Sequence, residues 1–201
     1  MQPFTTLNAI AAPFDQPNID TNQLCPTRFN KVPRGPKYAR VLFHDLRFNA
    51  DGTEKDFILN RAPYRHAGII VADRNFGCGS SRESAVYALY EFGVRCVIAP
   101  SFGDIFANNC GKNGLLPVML PTAVVDEIRL QLNAQTGATL AIDLVTQTVT
   151  DANGATHRFE IHPVRRQCLL EGLDDVDRTR QYQGAIEAFE AEYKGVRRWL
   201  Y

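Results

Sequence analysis

Gly68-Ile69-Ile70-Val71-Ala72-Asp73-Arg74-Asn75-Phe76-Gly77-Cys78-Gly79-Ser80-Ser81-Arg82-Glu83 is the stretch that decides the fold. Gly68 to Ala72 is a short apolar run with the length and composition of a parallel strand buried on both faces. A glycine-containing turn follows at Asn75 to Gly79. Beyond it, Ala85, Ala88, Leu89 and Phe92 fall on one face of a helix that Gly93 stops. Val94 to Ala99 reads as the next strand. Strand, helix and strand in that order make a βαβ unit, which implies a right-handed crossover.

Working outward, Ser101 to Asn109 predicts a second helix, Leu115 to Leu120 a third strand and Thr122 to Asn133 another helix. Leu140 to Val149, the turn Asp151-Ala152-Asn153-Gly154, and His157 to Ile161 predict a β-hairpin. On the N-terminal side, residues 26 to 40 hold Pro26, Arg28, Lys31, Pro33, Arg34, Gly35, Pro36, Lys37 and Arg40, a density of proline and glycine that predicts a flexible, irregular loop. A short strand is expected at Arg40 to Phe43 and a turn at Asn49-Ala50-Asp51-Gly52. Thr179, Tyr182, Ile186, Phe189 and Tyr193 fall at helical spacing and predict a C-terminal helix over about 175–193. Together these give one α/β domain over residues 1–201: a central parallel βαβ core with additional antiparallel strands. Its site is expected at the C-terminal ends of the central strands.

Composition narrows the function classes. Lys plus Arg equals Asp plus Glu, at 22 each, so no general field draws the chain to nucleic acid or an anionic membrane. No apolar stretch approaches the roughly 20 residues that span a bilayer, and Met1 to Pro13 does not read as a secretory signal. The five cysteines, Cys25, Cys78, Cys96, Cys110 and Cys168, are widely spaced and form no CxxC pair. That predicts neither a zinc site nor an internally ligated iron–sulfur cluster, and suits a reduced, cytoplasmic setting.

The chemistry-bearing segment is Gly77-Cys78-Gly79-Ser80-Ser81-Arg82-Glu83, between a buried strand and a helix N-terminus. Its plainest reading is a helix start, with Ser80 as N-cap and Glu83 completing a capping box. A functional reading stands beside it. Gly77 and Gly79 leave room for a ligand to approach the backbone. Free amides at a helix start stabilise a carboxylate or a serine alkoxide, and Arg82 offers a planar fork suited to a carboxylate. No Ser–His–Asp arrangement can be read, so a hydrolase of that type is unsupported.

Several blocks share a resemblance. Asn18-Ile19-Asp20-Thr21 looks like the Asn-x-Asp-Thr motif of the small subunits of 3-isopropylmalate dehydratase, members of the aconitase superfamily. Phe76-Gly77-Cys78-Gly79-Ser80-Ser81-Arg82-Glu83 is similar to their Phe-Gly-Cys-Gly-Ser-Ser-Arg-Glu signature. Ile98-Ala99-Pro100-Ser101-Phe102-Gly103-Asp104-Ile105-Phe106, Lys112-Asn113-Gly114-Leu115-Leu116-Pro117 and Gly172-Leu173-Asp174-Asp175 match three further blocks in the same order. The resemblance runs from about Phe4 to Tyr193.

The resemblance implies a swivelling β/β/α domain like the fourth domain of aconitase. It also implies a large partner subunit that carries a [4Fe–4S] cluster, with no cofactor or metal held by this chain. The implied reaction interconverts 2-isopropylmalate and 3-isopropylmalate through isopropylmaleate, in leucine biosynthesis. By motif position, Ser80 would be the base that takes the proton from the substrate carbon and Arg82 would hold a substrate carboxylate. Ser81 would help shape the turn or assist in substrate binding, and Gly79 would lie against the substrate. Arg61 would be a second carboxylate contact, or else an exposed loop arginine. Asp20, Thr21 and Glu83 would support the site from behind, although Asp20 and Thr21 also suit a simple turn.

Two positions depart from the family pattern. Ser84 stands where many members place histidine. Asn30, in Phe29-Asn30, stands where they carry leucine, in the loop expected to meet the substrate side chain. An amide is poorly suited to an isopropyl pocket. Related hydroxy diacids of the methylmalate/citraconate or homocitrate/homoaconitate type are therefore alternative substrates. A non-catalytic anion-binding swivelling module is the alternative from another class.

Overall fold

The structure, a computed structural model, describes residues 1–197 and 199. The chain runs β1 (Thr6–Phe14), α1 (Thr21–Leu24), α2 (His44–Arg47), β2 (Ile69–Ala72), α3 (Ser84–Phe92), β3 (Cys96–Ala99), α4 (Asp104–Lys112), β4 (Leu116–Met119) and α5 (Thr122–Ala134). It continues through β5 (Thr139–Asp143), β6 (Thr148–Thr150), β7 (Thr156–Arg158), α6 (Pro163–Glu171), α7 (Asp175–Arg180) and α8 (Gln183–Val196). The strands form one mixed sheet in the order β4-β3-β2-β1-β5-β6-β7.

Strand β1 joins the two halves of that sheet. Its first part, Thr6 to Ile10, pairs antiparallel with β5, and its last four residues, Ala11 to Phe14, pair parallel with β2. The burial pattern changes at the same point, from half-exposed positions to four fully covered ones. Sequence reading missed this strand, because Ala-Ile-Ala-Ala-Pro-Phe is alanine-rich, contains a proline and carries little intrinsic strand preference. Pairing along both edges overrides that weak local signal.

The expected βαβ core is present. β2, β3 and β4 pair in parallel register, Ile69 opposite Cys96 and Cys96 opposite Leu116. Alternate residues of each strand feed opposite faces, as the period of two requires. Ile70, Ala72, Val97 and Ala99 pack with α3, Phe76 and Phe106. Ile69, Val71, Cys96 and Ile98 pack with α5, Leu140 and Leu169. Helix α3 ends as expected, with Gly93 left-handed at φ 112 and its amide donating back to Leu89 and Tyr90.

Three expectations change. Arg40 to Phe43 is not a strand: a 3₁₀ helix over Pro36–Arg40 runs through a turn into α2. Tyr38, Leu42 and Phe43 bury their side chains from helical turns instead. Leu140 to Val149 is two strands, because the Asp143 carboxylate accepts the amides of Val145 and Thr146 and turns the chain. The hairpin is thus a three-strand meander. The C-terminal helix is divided at residues 181–182, where Tyr182 caps the start of α8.

Candidate active site

The C-terminal ends of β1, β2 and β3 each continue into a loop, and backbone hydrogen bonds lace the three loops together. Asn18 N donates to Arg74 O (3.0 Å), Gly77 N to Ile19 O (2.7 Å) and Thr21 N to Cys78 O (2.9 Å). Phe76 N donates to Ser101 O (3.1 Å) and Gly103 N to Phe76 O (3.0 Å). Gly77 is required here, since its φ is +74° and a Cβ would stand 2.2 Å from the Phe106 ring. The space expected for a ligand beside Gly77 is therefore filled by α4. The opening beside Gly79 is real, because a Cβ there would meet nothing closer than 3.7 Å.

This lacing fixes the backbone of Ser80 without using its side chain. The buried Thr21 hydroxyl accepts from Ser80 N (3.1 Å) and donates to Ser80 O (3.2 Å). Asp20 caps α1, accepting from Asn22 N and Gln23 N at 2.8 Å each, while Gln23 Oε1 accepts from Asp20 N. The N-cap reading of Ser80 does not hold. Helix α3 begins at Ser84 with Glu83 as its cap residue, and neither side chain closes a capping box. The Glu83 carboxylate accepts instead from the Tyr87 hydroxyl. Thr21 and Asn109, whose Nδ2 donates to Ser81 O at 3.3 Å, hold Ser80 and Ser81 outside the helix. Ser80 is exposed, and its Oγ has no hydrogen-bond partner among the described residues. It opens on a cavity of about 200 Å³ lined also by Gly79, Asp104 and Ile105.

Arg82 is held by neutral acceptors. Its Nη1 donates to Thr27 Oγ1 at 2.9 Å and its Nη2 to Asn22 Oδ1, while the Thr27 hydroxyl also donates to Asn22 Oδ1 (2.9 Å). The ion pairs among the described residues include none to Arg82. Its positive charge is positioned but not neutralised by a carboxylate.

The other expected residues divide. Asn30 Oδ1 accepts from the Ser84 hydroxyl at 3.0 Å, so the two departures from the family pattern touch each other and join the loop to α3. Phe29 is half-buried, its ring edge-on to His44 at 4.7 Å. Arg61 is not brought to Ser80 by any contact: it is exposed and paired with Asp56 at 2.7 Å.

Comparison with known proteins follows from this geometry. Residues 1–123 match the aconitase C-terminal domain model, and residues 126–163 match a LeuD_N model. A 3-isopropylmalate dehydratase small subunit of Gluconacetobacter diazotrophicus is 50% identical over 99% of this chain and 97% of that protein. Another with that name, from Paracoccus denitrificans, is 47% identical over the full length of both. The chain belongs to the 3-isopropylmalate dehydratase small-subunit family. A crystal structure of 3-isopropylmalate dehydratase from Methanocaldococcus jannaschii is 28% identical, with a TM-score of 0.67 over 92% of this chain and 99% of that one.

For a member of this small-subunit family, the cysteines are informative. Among the described residues, no group of three or more His, Cys, Asp or Glu side chains is placed to hold a metal ion. Cys25, Cys96 and Cys110 are buried, and burial pushes the thiols of Cys96 and Cys110 well up. This donor set does not fit an iron–sulfur cluster, which needs converging thiolates. Asn22, Thr27, Asn109 and Asp104 belong to the site and were missed in the sequence. For Asn22, Thr27 and Asn109 the only sequence signal is proximity to the motifs, since their partners lie up to 60 positions away.

Proposed function

We propose that this chain is the small subunit of a hydro-lyase that interconverts 2-isopropylmalate and 3-isopropylmalate through isopropylmaleate, acting with a large subunit that carries a [4Fe–4S] cluster. The observation that carries the reading is the turn from Gly79 to Arg82: a free serine hydroxyl beside an arginine held only by neutral acceptors. Ser80, as the alkoxide, takes the proton from the carbon next to a substrate carboxylate. The carbon–carbon double bond forms as hydroxide leaves the neighbouring carbon. In the rehydration step Ser80 delivers the proton to the carbon that lost the hydroxyl group, and hydroxide adds to the carbon that lost the proton, which gives the isomer. The amides of Gly79, Ser81 and Arg82 donate to no acceptor among the described residues, which leaves them for an oxyanion. Arg82 binds a substrate carboxylate through donors that Thr27 and Asn22 do not use.

The loop holding Phe29 and Asn30 is read as the wall that meets the isopropyl group. Asn30 no longer argues for a polar substrate, because its amide oxygen is engaged by Ser84. Relatives 44–50% identical over essentially the whole chain carry one name, which favours the isopropyl substrate over the methylmalate and homocitrate types. Five free cysteines suit a reducing, cytoplasmic setting. The test is reconstitution. The chain alone is expected to show no iron–sulfur absorbance and no dehydratase activity, and both should appear on anaerobic mixing with the large subunit. Stoichiometric iron and sulfide in the purified chain would refute the reading.

A further inference from the structure

We infer that the apolar face of α7 and α8 is the docking surface for the large subunit; this rests on the function proposed above. Residues 182–196 carry Tyr182, Ile186, Phe189, Tyr193 and Val196 at alternating spacings of four and three, a coiled-coil-type stripe two heptads long. Among the described residues the stripe touches mainly itself, with Phe189 stacked on Tyr193 and Arg197 over the Tyr193 ring. Helix α8 has no buried residue, and Tyr182 is 62%, Phe189 64% and Val196 69% exposed, with Val176 of α7 at 61% and Trp199 at 73%. Aromatic side chains bury about 150–250 Å² each, so this face exposes on the order of 600 Å² of apolar surface. Single patches on monomers reach roughly 300–600 Å², and one partner of a standard interface contributes about 800 Å². A 14-residue helix with Gly184 and Gly195 inside it is marginal by itself, so its stripe needs a cover.

Two observations select the large subunit over a second copy. The matched domain models stop at residue 163, yet the relatives named small subunit match through the C-terminal helices over 97–100% of their length. A separate subunit lacks the linker that gives a tethered domain its effective concentration, and must replace it with interface. The face is also continuous with the site. Helix α4 starts at the Ser80 cavity, where Ile105 is 51% exposed, and ends at Lys112, which pairs with Asp175 of α7 at 3.0 Å. Nine helical residues rise about 13 Å, so a partner that closes over Ser80 reaches α7. Helix α8 carries Glu187, Glu190 and Glu192 against one cation, Lys194, which lies 3.9 Å from Glu190; the remaining acidic excess fits an apolar groove with a basic rim.

The test uses the full chain with Ile186→Asp and Phe189→Asp, and Ala188→Asp to one side of the stripe as control. Affinity for the purified, cluster-loaded large subunit is measured by anaerobic calorimetry, and the free chain is sedimented over a concentration series. The paired substitution should weaken the complex at least tenfold with an unchanged melting temperature, and Ala188→Asp should weaken it less than threefold. Wild-type affinity in the paired variant would overturn the inference. A concentration-dependent dimer abolished by the same substitutions, with affinity for the large subunit unchanged, would overturn it in favour of a second copy. No binding by the unsubstituted chain would instead overturn the proposed function.

Discussion

At the scale of single residues, a serine and an arginine are presented by neighbours that leave their chemistry free. Ser80 is fixed through its backbone by Thr21, so Ser80→Ala should shift stability by no more than about 0.5 kcal/mol. Loss of a positioned base, by contrast, lowers kcat by roughly 10²–10⁴-fold. Thermal melts beside steady-state rates of the reconstituted enzyme separate the two effects. Arg82 gives a complementary test. Asn22→Asp keeps an acceptor for Nη2 but places a carboxylate against the guanidinium and neutralises it. The melting temperature should hold or rise, while KM for the dianionic substrate rises roughly tenfold, the equivalent of about 1.4 kcal/mol. An unchanged KM would mean that Arg82 does not need its free charge. The motif spacing marked Ser80 and Arg82 but not Asn22 or Thr27. Short motifs report residues adjacent in sequence, and these partners are brought in by pairing between loops 55 to 60 positions apart.

At the scale of elements, the site depends on loops held by buried polar groups. Thr21→Val removes the hydroxyl that satisfies both backbone groups of Ser80, a loss of about 1–3 kcal/mol. For a chain of this length that is a fall of several degrees in Tm, at about 2–4 °C per kcal/mol, and it should come with a loss of kcat. Far from the site, Asp151 closes the turn between β6 and β7 and anchors it to α5. It accepts from the amides of Asn153 and Ala155, from Gln131 Nε2 at 3.2 Å, and pairs with His157 at 3.0 Å. Burial opposes its ionised form, but the bonds from His157, Gln131 and the amides prevail and hold its pKa below the usual carboxylate range. A depressed folded pKa means stabilisation present above the unfolded value, near 3.9, and lost as pH falls through the lower folded value. Asp151→Asn should therefore flatten the acid limb of a stability-versus-pH curve, and an unaltered limb would remove the assignment. Helices and parallel strands with strong hydrophobic periodicity were legible in sequence, α3 and α5 best. Strand β1 was hidden by its alanines and Pro13, and the start of α3 by a Ser-x-x-Glu spacing that imitates a capping box.

At the scale of the molecule, β1 carries both halves of one sheet, and three parallel strand ends bring the loops that carry Asp20, Thr21, Ser80 and Arg82 to one rim. On the proposed reading the chain supplies a base and a carboxylate clamp, and among the described residues no group of three or more His, Cys, Asp or Glu side chains is placed to hold a metal ion. The rest of the reacting centre is assigned to the large subunit, so activity belongs to the assembly. The most direct measurement is kcat for isopropylmaleate formation from 2-isopropylmalate by the reconstituted Ser80→Ala complex, at verified subunit ratio and cluster content. The account predicts assembly and melting like the unsubstituted enzyme, with kcat at least about 100-fold lower. A rate within a fewfold of the unsubstituted enzyme would contradict it, and would leave Ser80 as a rim residue of someone else's chemistry.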